Sequence, residues 1–242
     1  MPKHLPYSSG NILLDFLLSG QRKPDAPELE VASFKSGDIL LDANAPIEDV
    51  FFPIDMMIST TTLMLNGTEV EVGAIGREGL SGVQLILGID HVPGKAICQV
   101  AGTAARLSAS EFTRWITHSP EASSVMLRYV QATLNALEVS IACNALHPVT
   151  ARCARWLLVT QDRVQRDEFW LTQEFLAVML GVRRATVSSV ERELRKLHAI
   201  KYARGHVHIL DRGALETASC ECYRLTVDRY NELLRQEPLI AK

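Results

Sequence analysis

Between Leu171 and Leu197 the chain reads LTQEFLAVMLGVRRATVSSVERELRKL, with apolar residues recurring every three or four positions. That period predicts two short helices joined by a tight turn. Thr172 is placed as N-cap of the first helix, and Leu171 and Leu176 can staple across the cap. Glu174 falls in the first turn, where a negative charge suits the helix dipole. Phe175, Leu176, Val178 and Met179 supply the buried side, and Gly181 ends the helix, as a residue without a Cβ does well there. The second helix begins near Arg183 and runs to about Lys196. Val187, Val190, Leu194 and Leu197 share one narrow face, the spacing of a stripe packed on a core. The opposite side collects Ala185, Ser188, Ser189, Arg192 and Lys196, with Arg184 and Arg195 at its margin.

The pattern changes on either side of this pair. Downstream, Ile200/Tyr202 and Val207/Ile209 alternate with polar residues around Arg204-Gly205, a hairpin tip, and a further helix is expected from Arg212 onward. Upstream, Val149 to Val164 reads as a helix with Trp156, Leu157 and Leu158 in its core, separated by His147-Pro148 from a longer one over Pro120 to Leu146. In the longer helix Leu127, Val130, Leu134, Leu137 and Ile141 step by three and four, a heptad-like seam that ends at polar Asn144. Met126, Tyr129 and Thr133 lie on the adjacent side, which suits a helix that touches its own domain and also a second copy. From Leu29 to Leu107 the texture is one of short strands. Gly37-Asp38 precedes Ile39-Leu40-Leu41, and Val50-Phe51-Phe52 is closed by Pro53. Ile58 to Leu65 leads through Asn66-Gly67 into the alternating Thr68 to Val72, and Ala96 to Val100 and Ala104 to Leu107 follow. Many short strands at near-even spacing predict an antiparallel roll. Ser108-x-x-Glu111 announces a helix after it, Asn11 to Leu18 forms a short one before it, and 21–27 is a breaker-rich loop.

Composition narrows the function. A chain of 242 residues, 47% hydrophobic and 22% charged, has room for two domains, and no apolar run approaches the length of a membrane span. The patch from Ile12 to Leu18 contains Asp15 and lacks a small-residue cleavage site, so no signal peptide is expected. Cys98, Cys143, Cys153, Cys220 and Cys222 are odd in number and scattered, which fits a reducing cytoplasm. Net charge is −3 overall, yet from Leu171 to Arg212 eight basic residues face only Glu174, Glu191, Glu193 and Asp211. Local positive charge is the footprint of phosphate contact. Small hydroxyl residues beside arginines also suit a helix in a DNA major groove: they permit close approach, and arginine grips guanine with two bonds. The plainer alternative is an amphipathic helix pair whose polar side faces water. No nucleophile elbow, Walker loop or zincin motif is present, so no catalysis is expected. His206-x-His208 would share one face of a strand but lacks a third ligand. Cys220-Glu221-Cys222, read as lying on one C-terminal helix, would send its thiols to nearly opposite sides, one buried and one partly exposed. No metal site is therefore expected there.

The order of roll, long helix and winged helix-turn-helix resembles the CRP/FNR family of bacterial transcription regulators. The likeness covers roughly residues 30–212 and is sharpest at Leu171-Thr172-Gln173-Glu174, Leu180-Gly181-Val182 and Arg184-Ala185-Thr186-Val187-Ser188. It implies an α+β fold of three parts: an N-terminal helix and cyclic-nucleotide-binding-like β-roll (1–118), a dimerisation helix (119–146) and a winged helix-turn-helix with a C-terminal helix (147–242). It also implies a homodimer on a palindromic operator whose half-sites lie one helical turn, ~34 Å, apart. The candidate DNA contacts are Thr172, Gln173, Arg183, Arg184, Thr186, Ser188, Ser189, Arg192, Lys196 and Arg204, and the candidate dimer seam is Leu127, Val130, Leu134, Leu137 and Ile141. RNA polymerase is a further candidate partner. Ala185 and Ser189 depart from the acidic residue and arginine of cyclic-AMP-responsive members, so a different DNA sequence is expected.

On the ligand side, the family's Gly-Glu pair and Arg-Ser/Thr pair correspond here to Gly79-Leu80-Ser81-Gly82 and Val92-Pro93-Gly94-Lys95-Ala96. Gly94 and Lys95 stand where the arginine and its hydroxyl partner would be. The candidate pocket residues are Arg77, Glu78, Gly79, Ser81 and Lys95. Lys95 alone does not replace a bidentate fork, so cyclic-AMP dependence is not expected. The redox branch's iron–sulfur cluster has no N-terminal cysteine ligands here. The competing expectation from a different class is a non-DNA regulatory or redox-sensing protein acting through Cys220 or Cys222.

Overall fold

The computed structural model describes residues 8–19 and 27–235, so the expected loop over 21–27 lies outside the described residues except for Pro27. The chain opens with helix α1 (Ile12–Ser19) and continues into seven strands, β1 (Glu30–Phe34), β2 (Ile39–Leu41), β3 (Asp49–Pro53), β4 (Met57–Leu63), β5 (Glu69–Ile75), β6 (Lys95–Val100) and β7 (Gly102–Ser108). They form two antiparallel sheets ordered β1-β7-β3 and β2-β6-β4-β5, the roll expected from the spacing of the runs. Pro53 is the last residue of β3 rather than the residue after it. The unbroken apolar run in β3 has a simple cause: both of its faces are covered. Phe51 joins Ile58, Met56 and Cys98 between the sheets, while Phe52 packs outward on Phe112 and on Leu13, Leu14 and Leu17 of α1.

Asn11 ties α1 to the roll. It is fully buried, and its Nδ2 donates to the carbonyls of Pro53 (2.8 Å) and Gly79 (2.9 Å) while its Oδ1 accepts from the amide of Leu14 (2.8 Å). A buried amide with all these partners costs little to bury and fixes one arrangement.

Helix α2 (Ala109–His118) starts at the Ser108 cap, whose Oγ both accepts from the amide of Glu111 and donates to its carboxylate. Helix α3 (Pro120–Leu146) covers the predicted span, with Ser119 as cap and Pro120 at its first position. Ala122, Met126 and Tyr129 are buried against the roll, and Thr133 beside them is half-buried. Most of the expected seam is open: Leu127, Leu134, Leu137 and Ile141 are 55%, 49%, 37% and 71% exposed, whereas Val130 is half-buried.

After Pro148 come α4 (Val149–Val164), β8 (Glu168–Trp170), α5 (Gln173–Leu180), α6 (Arg184–Lys196), β9 (Ile200–Ala203) and β10 (His206–Ile209). Strand β8 pairs with β10, which pairs with β9, so the wing is a three-stranded sheet rather than a lone hairpin. Its tip, Arg204-Gly205, takes positive φ at both residues (51° and 82°), the geometry of a tight two-residue turn. The expected C-terminal helix is broken in two, α7 (Arg212–Ala218) and α8 (Cys222–Arg235). Asp211 caps α7 by accepting from the amide of Ala214, and α8 packs along α3.

The winged domain sits directly on the roll. Met57 and Val100 belong to the same core cluster as Leu157, Leu176 and Val187. Arg166 Nη2 donates to the carbonyls of Asp55 and Ala101 (2.8 Å each), and Arg163 Nε pairs with Glu78 at 2.9 Å. Glu71 of β5 is enclosed at this junction: Ser59 Oγ donates to it at 2.6 Å and Trp156 Nε1 of α4 at 3.3 Å. Burial pushes its pKa up from 4.5 to about 7, against the opposing pull of these donors and of Arg163 and Arg155.

With its folded pKa above the unfolded one, Glu71 binds more protons in the native chain. Its stabilising protonation is therefore present at low pH and is lost as the pH rises through 4.5 toward 7. Glu71→Gln should remove that dependence. In thermal melts between pH 5 and pH 8 the wild type should lose midpoint relative to the variant. A constant difference across this range would mean that the carboxyl is already ionised in the native state at pH 5.

Candidate functional site

The helix pair forms as its sequence predicts. Thr172 Oγ1 accepts from the amide of Phe175 at 3.2 Å, Leu171 and Leu176 are both buried across the cap, and Gly181 ends α5 at φ +63°. Leu176 and Leu180 are the fully buried residues of α5. Phe175, Val178 and Met179 are half-buried. Val187, Val190 and Leu194 of α6 are buried, but Leu197 is 53% exposed. Leu197 is the C-cap, where the backbone leaves the helix, so the 100° rotation that placed it on the stripe no longer applies.

The other side of α6 is open. Ala185, Ser189, Arg192 and Lys196 are exposed, Thr186 and Ser188 half-buried, and Arg183 precedes the first turn. Among the described residues the side chains of Arg183, Arg192 and Lys196 make no ion pair. Arg184 is held differently: its Nη1 pairs with Glu174 at 3.1 Å and its Nε donates to Gln173 Oε1 at 3.2 Å. Gln173 in turn donates to Glu191 at 2.9 Å. This polar chain crosses from α5 to α6 and sets their relative position. Arg204 lies exposed at the wing tip, beyond α6. The ten candidate DNA contacts therefore fall on the α5–α6 pair, with Thr172 serving as its cap, and on the wing tip.

The roll contains a cavity of about 230 Å³. Thr60, Thr61 and Thr62 line it from β4, Ser81 and Lys95 from the segments singled out in the sequence, Tyr129, Thr133 and Leu137 from α3, and Tyr230 from α8. Arg77 and Glu78 do not belong to it. They border a separate surface cleft against α4 and α8, and the Glu78 carboxylate is engaged by Arg163. Gly79 does not line the cavity either; it packs on Tyr129, where a Cβ would stand 2.2 Å from the hydroxyl. That hydroxyl donates to the carbonyl of Leu80 and accepts from its amide (3.2 and 3.1 Å). Among the described residues Lys95 is the one cation in the lining, and it leans toward Asp42 at 3.8 Å. At Gly94 a Cβ would stand 1.8 Å from the backbone oxygen of Thr61, so no arginine fits there on this backbone.

Cys220 and Cys222 correct the sequence reading most sharply. Cys220 lies in the break between α7 and α8 and Cys222 opens α8, so the two do not ride one helix, and both are buried. Their thiols meet Cys143 and His147 from the end of α3, and the four ligand atoms lie within 4.8 Å of one another. Apolar surroundings push the Cys222 thiol up to about 12, and raise Cys220 as well. Sequence distance hid this grouping; the Cys143-x-x-x-His147 spacing, one helical turn, was the available signal. On the wing, His206 and His208 are exposed. His206 lies 3.6 Å from Glu168 and packs its ring on Trp170.

Residues 151–218 match a family model described as a Crp-like helix-turn-helix domain. No curated protein matches the chain. Solved structures of similar fold include FixK2 from Bradyrhizobium japonicum, 12% identical, with 80% of this chain and 98% of that one covered at a TM-score of 0.67. TTHB099, a CRP-family transcriptional regulator from Thermus thermophilus, is 19% identical (78% and 96% covered, TM-score 0.64). The c-di-GMP-responsive global regulator CLP from Xanthomonas campestris is 13% identical (82% and 98% covered, TM-score 0.60). At these identities the likeness is one of fold. No described helix is long and apolar enough to cross a membrane.

Loss of the Thr172 cap should cost about 1 kcal/mol. Thr172→Ala is expected to lower the thermal midpoint by roughly 2–4 °C, and Thr172→Ser to restore most of it. Equal midpoints for all three proteins would show that the cap does not hold α5.

Proposed function

We propose that this chain, which carries a Crp-like helix-turn-helix domain within the fold of the solved CRP/FNR regulators, is a homodimeric, sequence-specific transcription regulator that acts without cyclic AMP. The observation that carries the reading is α6. One face is locked into the core by Val187, Val190 and Leu194, and the other presents Ser188, Ser189, Arg192 and Lys196 to the outside. Such a helix can enter a major groove, with arginine reading base edges and lysine and the wing's Arg204 meeting phosphates. The division of labour is a sensory roll over 1–118, a dimerisation helix over 119–146 and a DNA-binding unit over 147–242. RNA polymerase is the further partner that this role implies, and the cytoplasm is the compartment.

The homodimer is argued from the uncovered seam. Four leucine and isoleucine side chains standing in water at heptad-like spacing are better satisfied by a second α3 related by two-fold symmetry. Two recognition helices would then meet a palindromic operator one turn apart. Independence from cyclic AMP is argued from Gly94, where the backbone of Thr61 leaves no room for the arginine that a cyclic phosphate needs, and from Lys95 as a lone cation among the described lining residues. The thiol-sensing alternative is weakened by the burial of Cys220 and Cys222, which keeps both sulfurs away from oxidants in solution.

Fluorescence anisotropy with DNA from the gene's upstream region, over a salt series with and without cyclic AMP or cyclic GMP, tests the whole reading. Tight, salt-steep binding that ignores nucleotide is expected. Arg192→Ala should weaken it by about ten-fold or more and relax sequence preference, whereas Lys196→Ala should reduce the salt slope by about one. Binding that appears only with nucleotide would overturn the reading of Gly94. The doubly substituted chain, Leu134→Glu with Ile141→Glu, should run as a monomer in light scattering and lose operator affinity. A dimer that survives both charges would place the interface elsewhere.

A further inference from the structure

Four side chains from two stretches of the chain, 143–147 and 220–222, converge where α3 ends. Cys143 occupies the last turn of α3, His147 caps that helix one turn later, Cys220 lies in the α7–α8 break and Cys222 is the first residue of α8. Cys143 Sγ is 3.5 Å from Cys220 Sγ, and Cys222 Sγ is 3.6 Å from His147 Nδ1. A tetrahedral zinc ion with bonds of about 2.3 Å to sulfur and 2.0–2.1 Å to nitrogen sets its ligands about 3.8 Å apart between sulfurs and about 3.5 Å between sulfur and nitrogen. These two separations match those edges, and all four ligand atoms lie within 4.8 Å of one another. Polynuclear iron–sulfur clusters spread their thiolates over separate iron atoms and need a wider cage.

A second observation is independent of the thiols. His147 turns Nδ1 toward the cluster while its Nε2 faces the Glu221 carboxylate at 3.3 Å. A carboxylate on the far nitrogen orients a metal-binding imidazole and fixes which nitrogen is free to ligate. Val139 and Ala151 close the surroundings with apolar surface. All four donors come from protein, which leaves no open position for a reacting water, so the site is of the closed, structural kind.

We propose that Cys143, His147, Cys220 and Cys222 form a Cys₃His site for zinc, which staples the C-terminal helix to the hinge between the long helix and the DNA-binding domain. Binding displaces three thiol protons to solvent and moves no electrons: the ion is held by three thiolates and by neutral imidazole Nδ1, with Nε2–H donated to Glu221. The staple has a structural consequence. Helix α8 lies along α3 and carries Tyr230 into the lining of the roll cavity, so anchoring its start also positions that side chain.

The test is metal analysis of the reduced, full-length chain. One zinc per chain is expected. After chelation, titration with Co²⁺ should give thiolate-to-cobalt charge transfer in the near ultraviolet and strong tetrahedral ligand-field bands in the visible, saturating at one equivalent. Cys220→Ser and Cys222→Ser should each abolish the stoichiometric zinc, and chelation of the wild type should lower its melting midpoint by about 5 °C or more. The cobalt titration needs no variant, so it decides the matter even where a variant does not fold. Substoichiometric zinc together with featureless cobalt spectra would overturn the proposal, as would a Cys143–Cys220 disulfide in freshly isolated protein. Metal content is read without DNA, so its failure and a failure of operator binding are separate results.

Discussion

A buried polar contact holds the long helix α3 to the roll, and the rest of the molecule is arranged around it. The Tyr129 hydroxyl exchanges hydrogen bonds with both backbone groups of Leu80, inside a core that excludes water. A buried hydroxyl left without partners would be expensive, so this contact sets where the helix crosses the roll and not merely that it packs there. Gly79 makes the approach possible, since any Cβ at that position would occupy the space of the hydroxyl. Ala122 and Met126 supply apolar area on the same face, but area alone would tolerate sliding. With the crossing point set, the seam faces outward, Leu137 and Thr133 border the cavity, and Cys143 and His147 are delivered to the hinge.

That geometry gives the proposed regulator a short path between its parts. The cavity is lined by threonines of β4, by Tyr129, Thr133 and Leu137 of α3 and by Tyr230 of α8, so an occupant would touch both long helices at once. Its lining is mostly neutral, and Lys95, a cation within it, leans toward Asp42 at 3.8 Å. Helix α8 continues to the cysteine–histidine cluster, and the winged domain rests on the roll through Trp156, Arg163 and Arg166. A change of state in such a device is a shift between two packings of these elements, and an occupant acts by favouring one of them.

Electrostatics are divided in the same way. The chain as a whole is acidic, yet the α5–α6 pair and the wing concentrate arginine and lysine on one side. Acidic residues in that region are mostly engaged from within: Glu174 by Arg184, Glu191 by Gln173 and Arg195, and Glu193 by Thr150. Arg192 and Lys196 have no such partner among the described residues and keep their charge for the outside. The field that matters for a phosphate backbone is this local one.

Much of this was legible from residues alone, because local chemistry decides it. The Thr172 and Ser108 caps, the turns at Gly181 and Arg204-Gly205, the alternation of the strands, the two faces of α6 and the span of α3 each follow from interactions within a few residues of sequence. Tertiary structure decided the rest. The short β8 carries little pattern and exists because the edge of β10 offers it hydrogen bonds. Arg77 and Glu78 left the expected pocket because Arg163, eighty-five positions beyond Glu78, compensates the carboxylate on the other side of the loop. The C-terminal cysteines came together with Cys143 and His147 because the chain breaks between α7 and α8 and folds back on α3. Periodicity records which face of an element meets the core; it does not record which distant element lies there, and ligand clusters are made of that second kind of information.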